Sequence, residues 1–188
     1  AIFRLSLSVP YTIGGSSPDF ATIGEAVTTL NTYHTCGPVT FRIRDGVYTE
    51  QISIDSIPTT SSTNTITFES ESLDSSAVTI QFTPPNSTKP AVFLLKGTDY
   101  VIFRHLGFKS LPSTFSDVLE LRYSADHITV SNCHFEGYQF GSSGVLIKCL
   151  NYGGLSDTMT IENSYFLNGQ QAIYLYNGGF SQHEINIH

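Results

Sequence analysis

The residues best able to do chemistry lie in one short stretch, Asp117 to Arg122, which reads DVLELR. It brings together two carboxyl groups and a guanidinium group, which serve acid–base catalysis or the binding of charged ligands. Glu120 and Arg122 alternate with the apolar Leu119 and Leu121, so we expect both charged side chains to point outward from a strand. Ordinary charges on an exposed strand face are the simpler interpretation, and a new active site is the alternative.

Tyrosines near the end of the chain supply a second candidate contact surface. Tyr174 and Tyr176 point outward if Ile173 and Leu175 point inward on the same strand. Outward tyrosines can stack on sugar rings, because their faces are apolar and their hydroxyls polar, although packing on neighbouring strands is the alternative role. The full candidate ligand groove is Asp117, Glu120, Arg122, Gln139, Tyr174 and Tyr176.

Composition and spacing argue against several other kinds of site. A net charge of −7 and the lack of a basic stripe argue against nucleic acid as a partner. No apolar run is long enough to span a membrane. The six histidines are scattered, and Cys36, Cys133 and Cys149 lack the spacing of a zinc site. We therefore expect buried thiols, no metal and no cofactor.

A repeated pattern predicts the elements that position these residues. DHITVSNCHFEG at 126–137 resembles DYVIFRHLGFKS at 99–110 and DTMTIENSYFLN at 157–168, and a fourth copy begins at His183. Apolar residues alternate within each copy, which is typical of strands, and a period of about 20 to 50 residues is typical of a solenoid. Helical repeats are disfavoured because the copies are rich in Ile, Val, Thr and Phe. The sequence predicts an all-β fold, a right-handed parallel β-helix with one coil per copy.

Equal positions of the repeat should lie above one another, because parallel strands stack about 4.8 Å apart. We therefore expect an internal stack of phenylalanines and an amide ladder of Asn132 and Asn163 at a turn. The aspartate that begins each copy should cap a turn rather than hold calcium, since few other oxygen ligands flank it. The stacked phenylalanines are Phe108, Phe135 and Phe166, and the aspartates are Asp99, Asp126 and Asp157.

The N-terminal part of the chain predicts a short helix. Apolar residues fall at helical spacing over residues 19–30, with Ser17 or Asp19 as the N-cap. A β-helix leaves the apolar interior of its first coil open, so we expect this helix to cover that end.

We assign residues 1–188 to a single β-helix domain with clear coils from about residue 98, and expect it to be a fragment of a longer protein. Its C-terminal end should be covered by further coils or by another subunit, because exposed strand edges pair with other chains.

The order of these segments resembles the pectinesterase branch of the pectin lyase-like β-helices, from about Asp19 to the end. DFATIGEAV is similar to the family's FxTIxEAI, DVLELR to its QAVALR, and NCHFEGYQ to its CxFxGYQDTL. The first segments also resemble β-helix domains in surface proteins of Bacteroidota-type bacteria. The resemblance implies a polysaccharide partner and an extracellular or cell-surface location in a bacterium.

The catalytic residues that this resemblance implies are missing from the chain. The family uses two aspartates, as nucleophile and as acid–base group, and the matching positions hold Phe140 or Ser143 and Ala172. A glutamine that stabilises the oxyanion in the family corresponds to Asp117, whose negative charge would oppose an oxyanion. Phenylalanine and alanine supply neither a nucleophile nor a proton.

Two functions are compatible with the sequence. The first, which we favour, is a non-catalytic extracellular β-helix module for glycan binding, adhesion or spacing in a surface protein. The alternative is a carbohydrate-active enzyme, pectinesterase- or polysaccharide lyase-like, whose site is non-standard or is completed by sequence beyond residue 188. The missing aspartates favour the first function, so we expect no de-esterification of pectin.

Overall fold

The computed structural model of the chain describes residues 10–88, 90–138, 144–151, 157–177 and 183–188. Within them, short alternating segments form parallel strands, and one helix, α1 (Ile23–Tyr33), lies near the start. The strands are β1 Pro10–Ile13, β2 Val39–Ile43, β3 Gly46–Thr49, β4 Ile52–Asp55, β5 Ile66–Ser70, β6 Val78–Phe82, β7 Ala91–Lys96, β8 Val101–Arg104, β9 Gly107–Ser110, β10 Asp117–Arg122, β11 Ile128–Ser131, β12 His134–Glu136, β13 Val145–Asn151, β14 Asp157–Glu162, β15 Tyr165–Leu167, β16 Gln171–Asn177 and β17 His183–Ile187.

Successive strands lie on successive faces of a coil, so the chain winds into a β-solenoid of about six turns. Sheet I has the order β1-β2-β5-β8-β11-β14-β17, sheet II β15-β12-β9-β6-β3 and sheet III β16-β13-β10-β7-β4. Parallel neighbours need a long crossover, which here is the remainder of each coil. The predicted all-β fold and parallel β-helix are confirmed, and the winding is consistent with a right-handed β-helix. Regular coils begin at β2, well before residue 98. The early strands pair in register, although their sequences do not match the repeated pattern.

The repeated segments stack in register through sheet I. Val130 pairs with Phe103 in the preceding coil and with Ile161 in the following one. Ile161 pairs in turn with Ile187, so the fourth copy of the repeat is also confirmed. The alternation that was visible in the sequence is therefore the pattern that faces the core.

The predicted phenylalanine stack is confirmed. The rings of Phe108 and Phe135 lie 5.0 Å apart at 10°, and those of Phe135 and Phe166 lie 5.4 Å apart at 12°. Such offset stacking adds to the free energy gained by burying the rings. A second stack, bridged edge-on to the first by Phe93, consists of Phe41, Phe68 and Phe103.

The turn after sheet I selects asparagine for its backbone conformation, and the predicted amide ladder is wrong for the described residues. His105, Asn132 and Asn163 have φ values of 52°, 52° and 45°, a left-handed conformation that asparagine tolerates well. The side-chain amide of Asn132 donates to Ser131 Oγ at 2.9 Å. Backbone groups join the coils here, as where the Asn132 N–H donates to the Glu162 carbonyl at 3.0 Å.

The aspartates that begin the repeats accept hydrogen bonds from backbone amides, as predicted, but they reach the next coil. Asp99 Oδ1 accepts from the N–H of Asp126 at 2.9 Å. Asp126 Oδ1 accepts from its neighbour His127 and from Thr158 one coil further on. Burial raises the pKa of the Asp99 carboxyl, and the nearby charge of Asp126 raises it further. The side chain of Asp157 lies outside the described residues.

The helix starts at Ile23 rather than at residue 19, and neither predicted N-cap is used. Its N-cap is Thr22, whose hydroxyl accepts a backbone N–H of the first turn at 3.0 Å. Asp19 instead binds β1, where its Oδ2 accepts from the N–H of Thr12 at 2.8 Å. This contact with a strand holds the segment before Thr22 out of the helix.

The described part of the chain holds no helix with the length and apolar character of a membrane span.

The helix covers β4, the edge strand of sheet III. Asn31 takes the place of a neighbouring strand there, because its Nδ2 donates to the Ser53 carbonyl and its Oδ1 accepts from the Asp55 N–H, both at 3.2 Å. Glu50 accepts from the N–H groups of the first two helical residues. The residues of the helix that are buried in the core are Ile23, Ala26, Val27 and Leu30.

The opposite end of the solenoid is more exposed. Leu175 is 41% exposed and Ile187 65% exposed, whereas Cys149 and Ile161, their partners in the preceding coil, are buried. A cover over this end, by further coils or another subunit, stays a prediction, as does the assignment of residues 1–188 to one domain of a longer protein.

We expect Phe135→Ala to lower the free energy of unfolding by about 3–5 kcal/mol, because it leaves a cavity in the middle of the ring stack. The control, Phe166→Ala, should cost less, since that ring is only partly buried. Urea denaturation followed by circular dichroism measures both values. An unchanged midpoint in Phe135→Ala would contradict the buried stack.

Candidate functional site

The outer face of sheet III brings most of the predicted groove residues to one surface. Asp117, Glu120 and Arg122 lie on β10, and Tyr174 and Tyr176 lie on β16. Strand β13 lies between them, so the two groups are separated by two strand spacings, roughly 10 Å. The remaining predicted residue, Gln139, lies outside the described residues.

Asp117 is held by two contacts with the neighbouring strand. Its Oδ1 accepts from the N–H of Val145 at 3.0 Å, and its Oδ2 lies 2.7 Å from Lys148 Nζ. Only 2% of Asp117 is exposed. Both carboxylate oxygens of Asp117 therefore bind groups of β13 and hold β13 against β10.

Glu120 is fully buried, and the prediction of an exposed charge is wrong for this residue. Its Oε1 accepts from Arg122 Nε at 2.8 Å, while the buried Oε2 has no hydrogen-bond partner among the described residues. Burial raises the pKa of the Glu120 carboxyl, and the Arg122 charge opposes that shift only in part. The alternation of apolar and charged residues predicted the side of the strand on which Glu120 lies. It could not predict the groups that bury the Glu120 side chain.

Two lysines belong to the same surface and were missed from the sequence. Lys148 is the register partner of Glu120 on β13, and Lys96 is the register partner of Arg122 on β7. Lys96 Nζ also lies 3.3 Å from Asp55 Oδ1. In VLIKC the alternation of residues places Lys148 at an outward position, so this pattern could have identified Lys148 from the sequence.

A groove of about 480 Å³ runs over β4, β7 and β10 beside this charged cluster. Leu94 lies on the groove wall between the polar and charged groups, and it is almost completely buried. Among the predicted residues that the structure describes, Arg122 alone lines the groove. Its contact with Glu120 connects the groove to the charged residues of β10. The polar and charged side chains of its lining are Gln51, Ser53, Thr88, Lys96 and Arg122.

The tyrosines lie further along the same face. Tyr174 is half-buried beside Lys148, its register partner, and Tyr176 is exposed. Ala172, which the motif resemblance matches to a catalytic aspartate of pectinesterases, is exposed near the start of β16. Phe140 and Ser143, the candidates for the other catalytic position, lie outside the described residues.

The cysteines offer no reactive centre on this face. Cys133 and Cys149 are buried as predicted, and burial raises the pKa of the Cys133 thiol to about 12. Cys36 is exposed, so the prediction of a buried thiol is wrong there. The described residues contain no group of three or more side chains placed to hold a metal ion.

Comparison with solved structures finds this fold in pectin methylesterases. PemA from Erwinia chrysanthemi matches with a TM-score of 0.56 and 14% identity, over 84% of this chain and 49% of that one. The Escherichia coli protein YbhC matches with a TM-score of 0.62 and 10% identity, over 96% and 67%. A pectin methylesterase in complex with a hexasaccharide matches with a TM-score of 0.54 and 13% identity, over 85% and 66%.

These matches establish the class of fold. The chain has the pectin lyase-like β-helix of pectin methylesterases, and it spans about half the length of PemA. Neither a protein-family model nor a curated protein matches it in sequence. The resemblance first seen in the motifs is confirmed for the fold, while the Bacteroidota-type origin stays a prediction.

We expect Glu120→Gln to remove a pH-dependent part of the stability. Because the folded-state pKa of Glu120 is raised, its contribution is complete below the ordinary glutamate pKa and is lost as pH rises through the raised value. The wild type should therefore lose stability relative to Glu120→Gln as pH increases. Urea midpoints from acid to neutral pH give this difference.

The control for this experiment is Asp99→Asn, since burial also raises the pKa of Asp99. Its own pH-dependent difference should add to that of Glu120→Gln in the double variant, because Asp99 lies in the turn before β8 and contacts Asp126, whereas Glu120 contacts Arg122. A difference between wild type and Glu120→Gln that is the same at every pH would contradict the raised pKa.

Proposed function

We propose that this chain is a non-catalytic carbohydrate-binding β-helix module and that the groove on sheet III holds the sugar chain. The observation that carries the proposal is that both carboxyl groups of β10 are buried in internal ion pairs. Asp117 contacts Lys148, and Glu120 contacts Arg122. A carboxylate that acts as a nucleophile or proton donor must reach the substrate, and these two face their own partners.

The positions that correspond to the family's catalytic residues support the same conclusion. They hold Phe140 or Ser143 and Ala172, none of which is acidic. Asp117 occupies the position of a neutral amide, and its contacts with Lys148 and Val145 are structural. An enzyme with a non-standard site remains the alternative, and no contact among the described residues favours it.

The charge of the groove indicates the kind of sugar that it binds. The chain carries a net charge of −7, yet Lys96 and Arg122 line one groove and Lys148 lies next to it. Cationic side chains form their strongest hydrogen bonds with carboxylates. We infer an acidic polysaccharide as the ligand, with Tyr174 and Tyr176 stacking on sugar rings further along the sheet.

In this proposal, the module lies outside the cell or on the cell surface of a bacterium. It serves adhesion, or it acts as a spacer that also binds glycan. Two features support this setting. The fold is that of pectin methylesterases, one of which was solved with a hexasaccharide, and the surface is rich in Ser and Thr with few charges.

We expect Lys96→Gln to weaken binding to oligogalacturonate about tenfold, or about 1.4 kcal/mol, because it removes an accessible cation from the groove. The matched control is Lys109→Gln on sheet II. Lys109 is as exposed as Lys96, at 38% against 37%, and is likewise paired with a carboxylate. Isothermal titration calorimetry measures both affinities. Equal losses in the two variants would show that binding follows total charge and not the groove.

The chain should release no methanol from methylated pectin, even at high protein concentration. The physical reason is that both carboxylates of β10, Asp117 and Glu120, are buried in ion pairs with Lys148 and Arg122. Methanol release is measured for the wild type and for Asp117→Asn. Turnover that survives Asp117→Asn would refute the proposal, and turnover lost in that variant would reveal an active site built around Asp117.

A further inference from the structure

The outer face of sheet I carries rows of hydroxyl and aromatic side chains that the sheet III groove does not use. In one row, Thr67, Ile102, Thr129 and Thr160 are register partners on β5, β8, β11 and β14. Beside it, one row contains Thr65, Tyr100, His127 and Thr158.

Tyr100 and His127 form a stacked pair at the edge of this face. Their rings lie 4.4 Å apart at 18°. Both residues have left-handed backbones, with φ of 57° and 56°, a conformation that costs of order 1 kcal/mol for a side chain other than glycine. His127 Nδ1 also lies 3.2 Å from Asp126 Oδ2. The two rings are therefore held in place before any ligand arrives.

A groove of about 270 Å³ lies between this aromatic pair and the threonines. Ile102 contributes an apolar surface to it, and Thr129, Thr158 and Thr160 contribute hydroxyls. Its lining, as far as the chain is described, contains neither lysine nor arginine. The carboxylate of Asp126 lies at the edge of this face, where it contacts His127.

This chemistry fits a neutral sugar chain. A sugar ring places its C–H face on an aromatic or aliphatic side chain and its hydroxyls against polar groups, which are the two kinds of surface found here. Because the coils repeat about every 4.8 Å, a linear chain laid across them meets similar side chains on successive strands. A polyanion would gain no cation here and would approach Asp126.

We propose that the outer face of sheet I is a second binding site, for a neutral linear oligosaccharide. The Tyr100–His127 pair stacks on one sugar ring, and the row of Thr129 and Thr160 bonds the hydroxyls of the chain. The site lies on a different sheet from the groove of the proposed function and takes the opposite class of ligand. Each proposal can therefore fail without the other.

Isothermal titration calorimetry of the whole chain with neutral hexasaccharides tests the site, using cellohexaose, xylohexaose and mannohexaose as probes. At least one should bind, and Tyr100→Ala should weaken that binding at least tenfold, while Tyr100→Phe keeps the ring and the affinity. The matched control is Tyr123→Ala. Tyr123 also has a φ of 57° and is 60% exposed, but it lies outside the groove.

Thr129→Gln provides a second variant that does not touch the strained turn, because it fills the groove from an outward strand position. It should also weaken binding at least tenfold, with an unchanged circular dichroism spectrum. Lys96→Gln should leave the affinity for the neutral probe unchanged. The proposal is overturned if none of the three probes binds, if Tyr100→Ala and Tyr123→Ala bind equally well, or if Lys96→Gln abolishes the binding.

Discussion

In-register stacking of parallel coils is the constraint on which the rest of this structure depends. Phe135 lies between Phe108 and Phe166 because their strands pair residue for residue. Once the inward rings set that register, the outward positions are aligned as well, since side chains alternate along each strand. The rows that hold Glu120 beside Lys148, or Tyr100 beside His127, are consequences of the core packing.

The same alignment restricts the charges that the outer faces can carry. Like charges on adjacent strands repel, so a stable solenoid places acids beside bases. Arg42 lies beside Glu69, and Lys109 beside Glu136, each pair joining adjacent coils. Where two aspartates succeed one another, backbone amides of the next coil act as donors in place of a cation. Such exposed pairs contribute little to stability individually, and their effect is to fix which coil follows which.

The fold could be predicted from the sequence because the pattern of core residues is local. Alternation, the Phe at one repeat position and the fourth copy at His183 can all be read along the chain, and all are confirmed. The errors arise where a residue's environment comes from elsewhere in the chain. The helix begins at Ile23 because Asp19 is bound to β1, and Glu120 is buried in a cluster whose members lie on adjacent strands. Local alternation places Lys148 on the outer side of its strand, but its contact with Asp117 could not be predicted, since Asp117 is 31 residues away in sequence.

A β-helix separates the residues that build it from those that give it a function, because only one side of each strand enters the core. This chain shares its fold with pectin methylesterases at 13–14% identity, so the fold tolerates extensive differences in sequence. On sheet III the outward carboxylates are engaged by Lys148 and Arg122, whereas on sheet I the row of Thr67, Ile102, Thr129 and Thr160 is neutral. Fold similarity therefore predicts the backbone on which a ligand lies, but the ligand depends on outward residues that the core does not constrain.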